Sequence, residues 1–356
     1  MKKVLLLGGT GAMGAHLTRI LAEQGENVFV TSRRSRKTEF DNVHYFQGDA
    51  KDENFVRALL EKKFDVIVDF MVYSTPIFNE RHKLFLDNCE QYVFLSSSRV
   101  YANNCGNAIT EDSPRLLDVS SDEEYLKTDE YALTKARQEN ILRGSGKNNW
   151  TIIRPYITYS EIRLQLGVLE KEDWLQRALQ GKTIVFSKDI AEHKTTLTYG
   201  FDVARGIAAI IGEEKALGEA FHITGNESMK WSEILEIYLN TIEKLTGTRP
   251  NVLLTEKSQN LRHGKYQVIY DRYFDRVFDN SKIDKFIDTK SFLSSRVGIV
   301  KSLEEFLKNP EFLGVNLRAE ALKDRTCGNW TFPRNLTLEQ FIKYFILRTI
   351  YPKNKL

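Results

Sequence analysis

The sequence predicts an α/β fold, a Rossmann-type doubly wound parallel sheet with a smaller α/β C-terminal lobe. Three observations predict it. Short apolar runs alternate with amphipathic stretches over the first 155 residues. A glycine-rich turn separates the first run from the first such stretch. After Pro155 the rhythm loosens.

Val4-Leu5-Leu6-Leu7 is four consecutive apolar residues ending at Gly8, as a strand buried on both faces would be. Ala15, Leu17, Ile20 and Leu21 recur at helical spacing, and Gly25 is a stop. Val28-Phe29-Val30 is a second strand and Val43–Tyr45 a third, followed by a helix over Glu53–Leu60. Val66-Ile67-Val68, Tyr92–Leu95 and Thr151-Ile152-Ile153 are strands four to six, with a helix from about Glu130 to Leu142 before the last. Repeated strand–helix alternation implies right-handed crossovers covering both sheet faces. Beyond Pro155, helices are expected over Lys171–Leu179, Phe201–Ile211 and Ser232–Leu245. A strand over 183–186 and another over 220–223, the latter rejoining the main sheet, complete this part.

The chain has 356 residues, 42% hydrophobic and 28% charged, with 51 Lys+Arg against 48 Asp+Glu. That excludes disordered and collagen-like classes. A formal charge of +3 makes no electrostatic case for nucleic acid or a membrane surface. Cys89, Cys105 and Cys327 are an odd, widely spaced set that matches neither a disulfide framework nor a zinc site. No apolar run approaches the ~18 residues of a membrane span. The apolar core of MKKVLLLGG is too short for a signal peptide. A soluble, reduced, cytoplasmic protein is expected.

Gly8-Gly9-Thr10-Gly11-Ala12-Met13-Gly14 lies between the first strand and first helix. A sharp strand-to-helix turn needs residues that tolerate positive φ and lack a Cβ where a ligand approaches. The helix N-terminus then offers backbone N–H groups and partial positive charge to a pyrophosphate. Gly8 would make the turn, Gly11 would admit phosphate, and Gly14 would let helix and strand pack closely. Two lobes of interleaved segments are expected, a dinucleotide-binding domain over 1–159, rejoined by 195–230, and a second lobe over 160–194 and 231–356, to which the resemblance described below assigns the substrate.

The second strand ends Ser32-Arg33-Arg34 with no carboxylate before Glu39. A carboxylate there would bind a free adenosine ribose, whereas arginine suits a 2′-phosphate. NADP is the expected cofactor and NAD the second choice. Asp49 is placed to meet the adenine edge.

Tyr131 and Lys135 stand at i and i+4 on one face of a predicted helix. A lysine cation stabilises phenolate and so fits a tyrosine for proton transfer near neutral pH. Ser96-Ser97-Ser98 closes the fifth strand at the carboxyl edge, where open α/β sheets bind ligands. A hydroxyl there can hold a substrate oxygen while tyrosine moves the proton.

In this order, GGTGAMG, GDAKD, FLSSSRVYA, ITEDSP, YALTK, IIRP and TLTYGFDVARGIAAII followed by GEAFHITGNESMKWSEI resemble an extended short-chain dehydrogenase/reductase. More narrowly, residues 1–245 are similar to the NAD-dependent epimerase/dehydratase family. The family's catalytic hydroxyl precedes the tyrosine of its Val-Tyr pair by four residues, so Val100-Tyr101 implies Ser97. The resemblance implies Ser97, Tyr131 and Lys135 as catalytic. It implies Gly8, Thr10, Gly11, Ala12, Met13, Gly14, Ser32, Arg33, Arg34, Asp49, Phe70, Met71, Tyr131, Lys135, Pro155 and Tyr156 around the cofactor. It also implies a nucleotide-linked sugar as substrate, its diphosphate held by the smaller lobe.

Two departures are informative. Where the family's fourth strand commonly ends His-x-Ala, this chain reads Asp69-Phe70-Met71-Val72-Tyr73. That, with TLTYGFDVARG, looks like an atypical branch that includes chloroplast stem-loop RNA-binding proteins. Dehydratases place Asp-Glu just after the catalytic hydroxyl. Here Ser98-Arg99 follows Ser97, which argues against dehydration and leaves epimerisation and ketone reduction. The expected function is thus an NAD(P)-dependent sugar-nucleotide epimerase or ketoreductase. The alternative is a non-catalytic dinucleotide-sensing or RNA-binding protein on the same scaffold. A homodimer is compatible with either, and neither a metal nor a membrane is expected.

Other features are expected to be structural. His16, His44, His82, His193, His222 and His263 lack metal-ligand spacing. Asp122-Glu123-Glu124 reads as a solvated loop, and Arg154 as a support of the sheet edge. The tail places Arg334, Lys343, Arg348, Lys353 and Lys355 among Phe341, Tyr344, Phe345 and Tyr351, a composition compatible with single-stranded RNA. The preferred reading is an amphipathic helix docked through Phe341, Ile342, Phe345, Ile346 and Thr349.

Overall fold

The computed structural model describes residues 1–104, 106–258, 264–330 and 336–350. Cys105, His263, Arg334, Tyr351, Lys353 and Lys355 lie outside the described residues. The chain gathers into two compact units. The first comprises Met1–Ser160, Thr196–Glu227 and Val277–Ser295; the second comprises Glu161–Thr195, Ser228–Arg276 and the chain from Arg296 onward.

The first unit is built on seven parallel strands: β1 (Lys3–Leu7), β2 (Asn27–Ser32), β3 (Val43–Gln47), β4 (Val66–Asp69), β5 (Gln91–Leu95), β6 (Trp150–Pro155) and β7 (Glu219–Ile223). Their order is β7-β6-β5-β4-β1-β2-β3. The chain winds outward from β1 through β3, then returns to β1's other side with β4. That reversal opens a crevice at the carboxyl ends of β1 and β4, where such folds take ligands.

Strand periodicity of two divides the core. Val4 and Leu6 of β1 pack with Leu17, Ile20 and Leu21 of α1 (Gly14–Glu23) on one face. Val203, Ile207 and Ile210 of α5 (Gly200–Ile210) share this layer. Leu5 and Leu7 face the opposite layer, with Val56 and Leu60 of α2 (Glu53–Leu60) and Phe78 and Phe85 of α3 (Thr75–Leu86). Leu142 of α4 (Tyr131–Arg143) joins them.

Three expectations are corrected. Residues 277–295, grouped above with the substrate lobe, lie in the first unit. Ile283, Phe286, Ile287 and Phe292 pack on its core, and Asn280 donates to the Thr224 carbonyl at 2.9 Å. Asp122-Glu123-Glu124 is solvated but not a loop: Asp122 accepts the Tyr125 amide and caps a helical turn over Glu123–Leu126. The terminal helix Leu338–Thr349 does not dock through the expected apolar stripe. Phe341, Ile342, Phe345 and Ile346 are exposed, while Tyr344, Leu347 and Arg348 are buried.

The reason for that last reversal is electrostatic. Within the second unit, Arg177 binds Glu320 at 2.5 Å and Asp324 at 2.8 Å, Lys182 binds the same two carboxylates, and Lys323 reaches Asp173. These groups are buried, so each needs partners, and the Tyr344 hydroxyl donates to Asp324. The helix turns its polar donors inward and leaves its Phe/Ile face outside. The same unit pairs Ile184–Ser187 with Val252–Thr255 in parallel and holds the long helix Trp231–Thr246.

Candidate active site

Gly8 has φ +71°, a left-handed conformation suited to glycine. A Cβ on Gly14 would stand 2.6 Å from the Gly9 backbone, so the first helix and the turn close on each other there. Gly11 differs: a Cβ there would meet nothing within 4 Å. It opens on a groove of about 520 Å³ lined by Gly8, Thr10, Ser32, Arg33, Asp49, Phe70 and Met71, among others. Asp49 Oδ1 accepts the Lys51 amide at 2.9 Å, and Ser32 Oγ accepts the Arg34 amide at 3.3 Å.

The other expected cofactor residues sit differently. Arg34 is exposed and is not among the lining residues. Met13 packs against the core. Ala12 O would stand 2.4 Å from a Cβ on Gly200, so Ala12 backs onto α5. Tyr156, following Pro155, is buried with its ring 5.2 Å from Phe278.

One groove-supporting residue escaped the sequence reading. Arg81 of α3 is buried and donates to the carbonyls of Lys51 at 2.7 Å and Ala50 at 3.1 Å, bracing the loop that lines the groove. An arginine on a buried helix face breaks apolar periodicity, which is why neither it nor α3 was visible.

The serine run is resolved by hydrogen bonding. Ser96 Oγ donates to Glu139 at 2.6 Å and Ser98 Oγ to the Arg154 carbonyl at 2.7 Å. Ser97 Oγ instead accepts the Arg99 amide at 3.2 Å, which uses a lone pair and not its proton. Tyr131 opens α4 and is 38% exposed, while Lys135 one turn later is buried. Lys135 Nζ donates to the Leu95 carbonyl at 2.7 Å and lies 4.6 Å from the centre of the Phe94 ring. Ser97, Tyr131 and Lys135 thus belong to the carboxyl end of β5 and the first turns of α4.

Burial pushes the Lys135 ammonium down to about 8, opposed by the charges of Asp69 and Glu139. Asp69 is fully buried at the end of β4 and accepts from the Met71 amide and the Tyr92 hydroxyl. Its burial raises the carboxyl above the usual range, against those bonds and the Lys135 charge. Asp69, noted in the sequence only as a departure, is therefore part of this charge set. It also links the groove to the hydroxyl cluster, since Phe70 and Met71 follow it.

Glu139 anchors the far end of α4. Arg154 binds it with both Nε at 2.9 Å and Nη2 at 2.6 Å, and Arg115 adds a contact at 3.1 Å. Burial would raise this carboxyl, but the Arg154 charge and hydrogen bonds hold it below its ordinary value. Glu139 is i+4 from Lys135 and i+8 from Tyr131, a spacing that could have revealed it. Arg154 is buried inside the sheet layer, paired with this carboxylate.

Comparison with known proteins adds to this geometry. The chain is 26% identical over 245 residues to the chloroplast stem-loop binding protein of 41 kDa b from Arabidopsis thaliana, covering 64% of this chain and 59% of that protein. It is 28% identical over 158 residues to a UDP-glucose 4-epimerase from Lactobacillus helveticus, covering 41% of this chain and 47% of that one. The chain thus spans between about half and three fifths of the length of these curated relatives. The structure of a UDP-glucuronic acid 4-epimerase from Bacillus cereus, solved with UDP-glucuronic acid and NAD, shares the fold with a TM-score of 0.64 at 17% identity, covering 86% of this chain and 99% of that one. A Bifidobacterium longum UDP-glucose 4-epimerase solved with NAD+ and UDP gives a TM-score of 0.62 at 19% identity, covering 86% and 99%. The model of the NAD dependent epimerase/dehydratase family matches residues 4–224, from β1 through β7 and both site elements, and this chain belongs to that family.

Proposed function

We propose that the protein is an NAD(P)-dependent epimerase of a nucleotide-linked sugar, with ketone reduction as the closely related outcome of the same chemistry. What supports this reading is that Lys135 Nζ binds the Leu95 carbonyl at the end of β5, that Ser97 follows in the turn whose Arg99 lies beside the Tyr131 ring, and that Asp69, a charge felt by Lys135, precedes Phe70 and Met71 of the groove over Gly11.

The groove's residues fit a dinucleotide. Gly11 leaves open the space a side chain would occupy, and Arg33 lines the groove where no carboxylate follows β2. A 2′-phosphate would find its partner in Arg33, so NADP is preferred over NAD, although the solved relatives above carry NAD. When bound, the nicotinamide supplies the redox centre that takes up and gives back a hydride. The proton on the substrate's carbinol oxygen would have to leave as that carbon is oxidised and return as it is reduced. Tyr131 Oη receives that proton as a phenolate and returns it. The Ser97 hydroxyl donates to the same oxygen. Lys135 stabilises the phenolate, and Asp69 and Glu139 help keep its buried ammonium charged. Ser98 and Arg99 supply no acid–base pair for eliminating water, since Ser98 Oγ is bonded to the Arg154 carbonyl and Arg99 to Glu130.

The test is a panel of UDP-sugars incubated with the protein and NADP or NAD, with products read by NMR. Tyr131→Phe should lower turnover about a thousandfold while dinucleotide affinity stays within about twofold. Near-normal turnover in that variant would discard the mechanism.

A second reading, RNA binding, is favoured by the words stem-loop binding in the Arabidopsis relative's name and by Phe341, Lys343 and Phe345, all exposed on the terminal helix. It predicts an RNA affinity that falls steeply with salt, together with no turnover of any sugar nucleotide.

A further inference from the structure

Arg99 follows the catalytic-hydroxyl position by two residues, in a single 3₁₀ turn over Ser98–Val100. Its guanidinium carbon lies 5.5 Å from the centre of the Tyr131 ring. Its Nη2 donates to Glu130 Oε1 at 2.5 Å, with both side chains largely buried. Glu130 is the N-cap of α4: its other oxygen accepts the Ala132 amide at 2.8 Å and the Tyr125 hydroxyl at 3.2 Å. Three bonds hold this carboxylate, and it in turn holds the guanidinium against the ring. The turn that carries Ser97 and the helix that carries Tyr131 are therefore clasped to each other through Arg99 and Glu130.

We infer that Arg99 is a positioning residue for proton transfer: clamped by Glu130 against the Tyr131 ring, its cation favours the phenolate, and Glu130 moderates that effect. This rests on the reading of Tyr131 as the group that moves the proton. A cation at this distance stabilises an anion more in a half-buried setting than in water. The other charged groups on the elements around Tyr131 have defined engagements. Lys135 on the same helix binds the Leu95 carbonyl and is opposed by Asp69 of β4. Asp129, just before the helix, accepts from Thr75 at the start of α3 and from Arg137. Glu139, Arg154 and Arg115 form their own buried network deeper along α4. Arg99 is thus a cation beside the Tyr131 ring, and it comes from the turn next to Ser97. Neutral Ala or Gly in its place could not supply that charge.

The decisive measurement is the titration of Tyr131 itself in the full-length protein, by NMR of ¹³Cζ-labelled tyrosine. Tyr131→Phe identifies its resonance among the 15 tyrosines. Arg99→Gln should raise the Tyr131 midpoint by about one unit, and Arg99→Lys should restore at least half of that shift. Glu130→Gln keeps an oxygen for the Ala132 amide but removes the negative charge, so the midpoint should fall. Opposite movement in the two variants is what a merely structural contact would not produce. An unmoved midpoint in folded Arg99→Gln, or movement in the same direction in both variants, overturns the inference. Should Arg99→Gln not fold, Arg99→Met takes its place: a raised midpoint upholds the inference and an unmoved one overturns it. Turnover reads the other question. If Tyr131→Phe leaves catalysis intact, the proposed function fails whatever the titrations show.

Discussion

Two glycines of one turn should respond to the same substitution in opposite ways. Gly11 lacks a left-handed φ, and a Cβ built on it meets no atom within 4 Å. Gly11→Ala should therefore leave the fold intact and even stabilise it by about 0.5 kcal/mol, through the lower entropy of the unfolded chain. The new methyl would occupy the surface where a pyrophosphate must approach the backbone, so affinity for NAD and NADP should fall at least about tenfold, roughly 1.4 kcal/mol. At Gly14 the Cβ would sit 2.6 Å from both the carbonyl carbon and the Cα of Gly9, and 2.8 Å from its oxygen. Carbon atoms prefer about 3.5–4.0 Å, so the backbone must part by about 1 Å. Overpacking of that kind costs about 3 kcal/mol, offset by about 1 kcal/mol from alanine's better helix propensity, leaving a net loss of about 2 kcal/mol. Urea unfolding reads the stability of each variant, and calorimetric titration with NAD and NADP reads binding. Unchanged affinity in Gly11→Ala would refute the placement of the dinucleotide over this turn. Unchanged stability in Gly14→Ala would refute the close approach of helix and turn.

Three further outcomes are expected. Glu139→Ala leaves Arg154, 2% exposed, without its bidentate partner, and should cost about 3–5 kcal/mol in denaturant unfolding; a loss below about 1 kcal/mol would show that the pair carries no structural weight. Burial pushes His222 down to about 4 from 6.5, so the unfolded chain binds its proton first as pH falls. Its stability contribution is intact above about 6.5 and is lost as pH drops towards 4, by about 3 kcal/mol in all. Unfolding at about pH 7.5 and pH 5 should therefore show a shallower loss in His222→Asn than in the wild type, and equal slopes would dismiss the account. Arg33→Ala should weaken NADP binding about tenfold and leave NAD within about twofold, whereas equal effects on both would mean that Arg33 does not meet a 2′-phosphate.

Legibility followed the physical origin of each feature. The strands of the first unit, the glycine turn and the helix bearing Tyr131 rest on local spacing, and the residue types alone indicate them. α3 was not legible because its buried face includes Arg81 and His82, which interrupt the apolar stripe. The second unit was hard to order because part of its interior is ionic: Arg177, Lys182, Lys323, Glu320 and Asp324 read as surface residues to any hydrophobic pattern. The terminal helix shows the consequence. Its strongest apolar stripe faces outward, since the buried carboxylate Asp324 drew Tyr344 inward instead.

At the site, residue order and spacing alone determined the candidates: a turn that can admit phosphate, a tyrosine and lysine one helical turn apart, and a serine run at a strand end. Only the tertiary structure decided how they are used. Ser98 is bonded to a carbonyl 56 residues away, Ser96 to a carboxylate 43 residues away, and Arg99 to a carboxylate 31 residues away. Hydrogen-bond partners and neighbouring charges set which hydroxyl keeps its proton to give and which ammonium is desolvated. Those partners come from segments far apart in the chain, and folding alone brings them within 3 Å of one another.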